Sequence, residues 1–224
     1  RLSGNLELEI EILPDISPTI TYLSLHDTSF QGTIPSEIGN LENMRLLDMG
    51  ETGLEGPLPD ELFSLEELEL LYLGDTNLDG TFPIEAINLS SLRDLDLSNT
   101  EIHGQIPSEV KGLTELRLLF LHGTNINGTL PSEMGELSHL WALSIAGTDV
   151  GGAVPHELGG LSELTLLWLE RTSIVGPLPD GPDGWCRNEA VEYFEYWSDC
   201  SETNCACCTF CCADDSPVCN ETVG

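Results

Sequence analysis

Eight cysteines, five histidines and 39 Asp and Glu residues are the side chains here that could bind metal, move protons or form cross-links. The cysteines are Cys186, Cys200, Cys205, Cys207, Cys208, Cys211, Cys212 and Cys219, and the 185 residues before them hold none. Thiols packed this closely suit either disulfides or a soft metal held by thiolates. An even count in a terminal segment, with Asn-x-Ser/Thr sequons at Asn88, Asn127 and Asn220, favours disulfides and glycosylation in an oxidising, extracellular compartment. Spacing alone selects no pairing.

The remaining chemistry is dispersed. The histidines are His26, His103, His122, His139 and His156, and none sits in a His-Glu-x-x-His motif. There is no phosphate loop and no Ser-His-Asp constellation. The expectation is a protein that is not an enzyme and has neither a catalytic metal nor a cofactor. The charge narrows its partners. With 39 acidic against 7 basic residues, the formal net charge is −32. A nucleic-acid phosphate backbone needs clustered cations, so it is excluded as an ordinary partner, and an anionic membrane surface is disfavoured. No run of about 18 apolar residues is present to span a bilayer. Hydrophobic residues make up 40% of the chain, too many for a disordered acidic tail.

What must position these groups is a repeat. Thr28, Thr52, Thr76, Thr100, Thr124, Thr148 and Thr172 recur at intervals of 24 residues, and so do the glycines from Gly32 to Gly176 and the prolines from Pro35 to Pro179. One unit runs from Leu92 to Leu113. Its Leu95-x-Leu97 alternation predicts a short strand with both leucines facing inward. Ile102, Ile106, Val110 and Leu113 would fill the same core from the other sides of the coil. Gly104 allows positive φ or close backbone approach, and Pro107 presets φ at the start of a short helical turn. Glu109 follows, where a helix N-terminus favours an anion. One unit cannot bury its apolar face alone, so the units must stack.

The frame Leu-x-x-Leu-x-Leu-x-x-Thr-x-Ile-x-Gly-x-Ile-Pro resembles the plant-type leucine-rich repeats of receptor ectodomains and polygalacturonase inhibitors over about residues 20–180. The seven threonines stand where that family usually has asparagine. The resemblance implies an α/β solenoid. It would be a right-handed superhelix with a concave parallel sheet, short convex 3-10 or helical turns, and a second short strand near the Gly-x-Ile-Pro segment. Residues 1–18 read as an irregular, partial repeat, residues 19–184 as seven repeats, and residues 185–224 as a disulfide-rich cap. The usual cysteine-paired N-terminal cap is missing, which suggests residues upstream of Arg1 in a longer protein. Trp185, Val191, Tyr193, Phe194, Tyr196 and Trp197 are expected to seal the far end of the core. The cysteine-rich tail resembles those of secreted repeat proteins in marine algae.

Strand positions between the core leucines are expected to face solvent on the concave side. The residue inside each Leu-x-Leu gives the column Ser24, Asp48, Tyr72, Asp96, Phe120, Ser144 and Trp168. Two further on comes a column containing His26, His122 and Glu170, and after it one from Asp27 to Arg171. Tyr72, Phe120 and Trp168 should form a spaced line of exposed aromatic anchors. Asp48, Asp96, His122, Glu170 and Arg171 should complete a ligand-binding face. Four strand spacings separate His26 from His122, about 19 Å, so they cannot share a metal or a proton relay.

Two ladders compete for other roles. Regular exposed threonines are a hallmark of ice-binding proteins, but this column occupies the family's inward asparagine position, where it should hydrogen-bond neighbouring turns. Glu37, Glu61, Glu85, Glu109, Glu133 and Glu157 each follow a proline by two residues and suit either a solvated acidic face or weak Ca²⁺ binding. The leading expectation is extracellular recognition of a protein, peptide or cell-wall glycan, with inhibition of a secreted hydrolase as a special case. The alternative is a cell-surface or matrix component that self-associates or binds divalent cations. Ice binding is the weaker one.

Overall fold

The computed structural model describes residues 19–175 and 178–179, and the backbone of three later strands. Each repeat contributes two short strands. They are β1 (Tyr22–Ser24) and β2 (Gln31–Gly32), β3 (Leu46–Asp48) and β4 (Gly53–Pro57), β5 (Leu70–Tyr72) and β6 (Asn77–Asp79), and β7 (Asp94–Asp96) and β8 (His103–Gln105). They continue as β9 (Leu118–Phe120) and β10 (Asn125–Thr129), β11 (Ala142–Ser144) and β12 (Asp149–Gly152), and β13 (Leu166–Trp168) and β14 (Ser173–Ile174). The first strand of every repeat pairs in parallel with the next, in a register advancing by one repeat, for example Leu47 with Leu71 and Leu71 with Leu95. Three further strands, β15 (Glu195–Asp199), β16 (Phe210–Cys212) and β17 (Asn220–Glu221), extend this sheet to ten.

The second strands form two smaller parallel sheets, β2-β4-β6 and β8-β10-β12-β14, bridged at Thr81 and His103. From β2 to β12 these strands run up to or across the repeating glycine, and Gly32, Gly56, Gly80, Gly104, Gly128 and Gly152 all take positive φ there. The third side of each of the first six coils is a five-residue 3-10 helix, such as Ser108–Gly112. The preceding proline is extended and stays outside the helix as its cap, and its carbonyl accepts the first bond, as Pro107 O does from the Val110 amide at 3.1 Å. The repeats therefore build a leucine-rich-repeat solenoid, with the large parallel sheet on its concave side.

One continuous core runs through the coil. Ile102, Ile106, Val110 and Leu113 are buried, as are Leu95 and Leu97. The threonines point into this wall, and Thr52, Thr76, Thr100, Thr124 and Thr148 are buried. Their bonds differ from the expectation. Each hydroxyl donates to the carbonyl three residues earlier in its own turn, as Thr100 Oγ1 does to Leu97 O at 2.7 Å. Threonine is one atom shorter than asparagine, so it closes its own turn and does not reach the next. The links between repeats are made by the backbone instead, for example Leu97 N to Phe120 O at 2.9 Å. Hydroxyls satisfied inside the wall do not present an ice-binding lattice.

Past each concave strand the chain turns sharply. Asp27, Glu51, Asp75, Asn99 and Arg171 have φ between 52° and 56°, with Gly123 and Gly147 at the equivalent positions. The column ending at Arg171 is therefore a left-handed turn at the rim, not a third row of strand residues.

Candidate functional site

The concave face is built by three outward columns, and sequence reasoning identified only two. Alternation runs one step further back from the Leu-x-Leu pair, so Tyr22, Leu46, Leu70, Asp94, Leu118, Ala142 and Leu166 also face outward, beside the buried Leu23, Leu47, Leu71, Leu95, Leu119, Leu143 and Leu167. In adjacent leucine pairs such as Leu70-Leu71, one side chain serves the core and the other the surface. Strict period-two counting over the whole strand would have found this column.

Toward the N-terminal repeats the face is an acidic cleft of about 210 Å³, lined by His26, Asp48, Gly50, Glu51, Tyr72, Gly74, Asp75 and Asp96. Glycine makes its floor. A Cβ at Gly74 would lie 2.9 Å from Ser98 Oγ and 3.1 Å from Asp96 Oδ1, and one at Gly50 would lie 3.1 Å from the Gly74 carbonyl. The carboxylates are held in place. Asp96 accepts from the Ser98 hydroxyl at 2.6 Å and the Ser98 amide at 2.9 Å. Asp48 accepts from the Ser24 hydroxyl at 3.1 Å and lies 3.5 Å from His26 Nδ1. Asn99 Nδ2 donates to Asp75 at 3.0 Å.

Tyr72 belongs to this cleft. Its hydroxyl donates to Asp94 at 2.6 Å, reaching across to the column that sequence reasoning missed. Burial pushes its phenol well above the ordinary range. The hydrogen bond to Asp94 and the charges of Asp94, Asp48 and Asp96 push it the same way, since a phenolate here would face three carboxylates.

Toward the C-terminal repeats the character changes. Phe120 and Trp168 stack with ring centroids 5.7 Å apart and planes 20° from parallel, and His122 meets Phe120 edge-on at 5.7 Å. The expected line of three spaced, exposed aromatics is therefore corrected. Tyr72 is drawn into the acidic cleft by Asp94, and Phe120 and Trp168 are half-buried against each other. Glu170 follows Trp168 on the same side, whereas Arg171 is carried to the exposed rim by its turn.

An ion ladder borders the face. Glu69 lies between Arg45 at 3.3 Å and Arg93 at 2.7 Å, one residue before the concave strands. The glutamates of the 3-10 turns are separate, and Glu109 and Glu133 are each contacted by the preceding serine hydroxyl. Among the described residues, no three His, Cys, Asp or Glu side chains converge as metal ligands, and no helix is long and apolar enough to cross a membrane. Asn88 and Asn127 are exposed. The expectations for Asn220, the cysteine pairing and the aromatic seal of the cap lie outside the described side chains.

Residues 18–119 match the family model described as a leucine-rich repeat region. No curated protein matches the chain. Among solved structures it is similar to the plant peptide hormone receptor RGFR1 in complex with RGF2, at 28% identity and a TM-score of 0.76, over 89% of this chain and 30% of that one. It is also similar to the Arabidopsis receptor kinase HAESA in complex with the peptide hormone IDA and the co-receptor SERK1, at 26% identity and a TM-score of 0.75, over 99% of this chain and 35% of that one. The chain thus spans about a third of the length of these receptor chains. Its likeness to a plant ice-binding protein, at 21% identity and a TM-score of 0.67 over 84% of this chain and 66% of that one, is one of fold alone.

Proposed function

We propose that this chain is an extracellular recognition module that binds a cationic peptide, or a cationic segment of a protein, across its concave sheet. The observation that carries this reading is the acidic cleft, in which Asp48, Glu51, Asp75 and Asp96 surround a glycine floor. The similarity to peptide-binding receptor ectodomains supports a peptide over a glycan. From Asp48 on β3 to Trp168 on β13 is five strand spacings, about 24 Å. An extended peptide of about seven residues spans that distance. Recognition here makes and breaks no bond. The sheet is preformed, so little ordering of the protein opposes binding, and the excess negative charge steers cations toward it.

The test is selection from a random peptide library displayed on phage, against the protein in about 0.15 M salt. Enriched peptides are expected to carry Lys and Arg and to weaken as salt is raised. The double variant Asp48→Asn/Asp96→Asn should weaken them roughly threefold to tenfold, because each exposed charge pair contributes about 0.2–1 kcal/mol. Enriched peptides without positive charge, indifferent to this variant, would overturn the reading. So would Ca²⁺-dependent self-association with no peptide enriched, which would favour a structural role for the glutamate ladder.

A further inference from the structure

The aromatic half of the concave face contains a trench one strand wide. On β11 the outward residues are small, Ala142 and Ser144, with Ala146 just beyond. The flanking strands carry Leu118 and Phe120 on one side and Leu166 and Trp168 on the other. The register places Ser144 directly opposite both Phe120 and Trp168. Those two side chains are rooted two strands apart, about 9–10 Å, yet their rings stack with centroids 5.7 Å apart. They lean inward and close over Ser144, which is 0% exposed.

The enclosed polar atoms are unsatisfied. Ser144 Oγ, His122 Nδ1 and Trp168 Nε1 are buried and have no hydrogen-bond partner. Buried polar groups are ordinarily paired, so three orphans around one trench point to a partner from outside the chain. A planar group inserted between two rings needs about 3.5 Å on each side, or a centroid separation of about 7 Å. The rings are closer than that now, but their backbone roots are further apart. Side-chain rotation alone opens the slot.

We infer that Phe120 and Trp168 form a clamp for the guanidinium of a ligand arginine. This inference rests on the peptide reading above and names one residue of that peptide. Guanidinium is planar, so it fits the slot, and it is cationic, so both ring faces attract it. Its N–H groups supply the donors that Ser144 Oγ and the Nε2–H tautomer of His122 lack. Trp168 Nε1–H remains free to donate to a ligand backbone carbonyl. Glu170 places a carboxylate in the His122 column, and the net charge of −32 favours a cation throughout. Lysine matches the charge but not the plane. Citrulline matches the plane but not the charge.

The experiment titrates the protein with three capped tripeptides, acetyl-Gly-Arg-Gly-amide and its Lys and citrulline counterparts. It follows the indole N–H resonance of Trp168, identified by its absence in Trp168→Phe. The arginine probe is expected to shift this resonance and to bind roughly fivefold or more tightly than either counterpart. Phe120→Leu, read by the same resonance, and Trp168→Leu, read by calorimetric titration, should each weaken it about tenfold while melting near the parent temperature. Ser144→Ala, which removes only the buried hydroxyl, should weaken it without loosening the fold. Equal binding of arginine and citrulline, or an indole resonance that does not move, overturns the clamp. If library peptides bind the concave face with no arginine preference, the clamp fails and peptide recognition stands. If the arginine probe shifts Trp168 while no library peptide binds, the clamp stands and the peptide reading fails.

Discussion

Replacing Thr100 with valine isolates what the threonine ladder does. The substitution keeps the branched shape and exchanges the hydroxyl for a methyl. Thr100 Oγ1 donates to Leu97 O at 2.7 Å, and both lie in the buried wall. Among the described residues no backbone N–H reaches that carbonyl, so valine leaves it without a donor. A buried unsatisfied carbonyl costs about 1–3 kcal/mol, and the added methyl returns up to about 0.8 kcal/mol. With the full return the expected net loss is about 0.2–2.2 kcal/mol, centred near 1 kcal/mol. Thr28 makes the same bond to Leu25 at 2.6 Å but is only half-buried, so water can replace its hydroxyl. Thr28→Val should therefore cost well under about 1 kcal/mol. Urea unfolding followed by circular dichroism measures both, read as a shift of midpoint at constant slope. If Thr100→Val were as stable as the parent, or if the two positions responded alike, the ladder would hold the wall through its methyls and not its hydroxyls.

Other consequences are independent of the ladder. Tyr72 has its phenol raised above the ordinary value near 10. Above pH 10 the unfolded chain therefore loses this proton before the folded one, and stability falls as pH rises further. Tyr72→Phe should flatten that alkaline decline, as thermal melts between pH 9 and about 11 would report. Gly74→Ala places a methyl group 2.9 Å from Ser98 Oγ and 3.1 Å from Asp96 Oδ1. It should cost about 1–3 kcal/mol and weaken binding of a cationic peptide in the same variant, read by urea midpoint and by titration. Gly123→Ala combines φ of +67° with a clash against the Asn99 side chain, so an urea melt should register a loss of about 1–3 kcal/mol.

The parts of this structure legible in sequence are those where one position has one task. Leu95, Ile102 and Val110 recur because each fills one side of the coil, and Gly104 because its backbone takes φ of +91°. The outward leucines were less legible, because in Leu46-Leu47 or Leu118-Leu119 composition does not say which member is core. The turn column was hard to tell from a strand column because Glu51 and Arg171 interrupt the left-handed signal that Asp27, Asp75, Asn99, Gly123 and Gly147 carry. The aromatic pair was least legible of all. Its stacking depends on Ser144 being small on the intervening strand, a relation between residues 24 apart on either side that appears only once the strands are laid side by side.

The most direct test of concave recognition is hydroxyl-radical footprinting of the protein with and without a selected cationic peptide. Tyr72, Phe120 and Trp168 are half-exposed on the concave sheet, whereas the glutamate-bearing 3-10 turns lie on the opposite side of the coil. The expected result is that the peptide protects these three aromatics and leaves Ile84, exposed on a 3-10 turn, as reactive as before. Protection at Ile84, with Tyr72, Phe120 and Trp168 unchanged, would place the binding surface on the other side and contradict the proposed function.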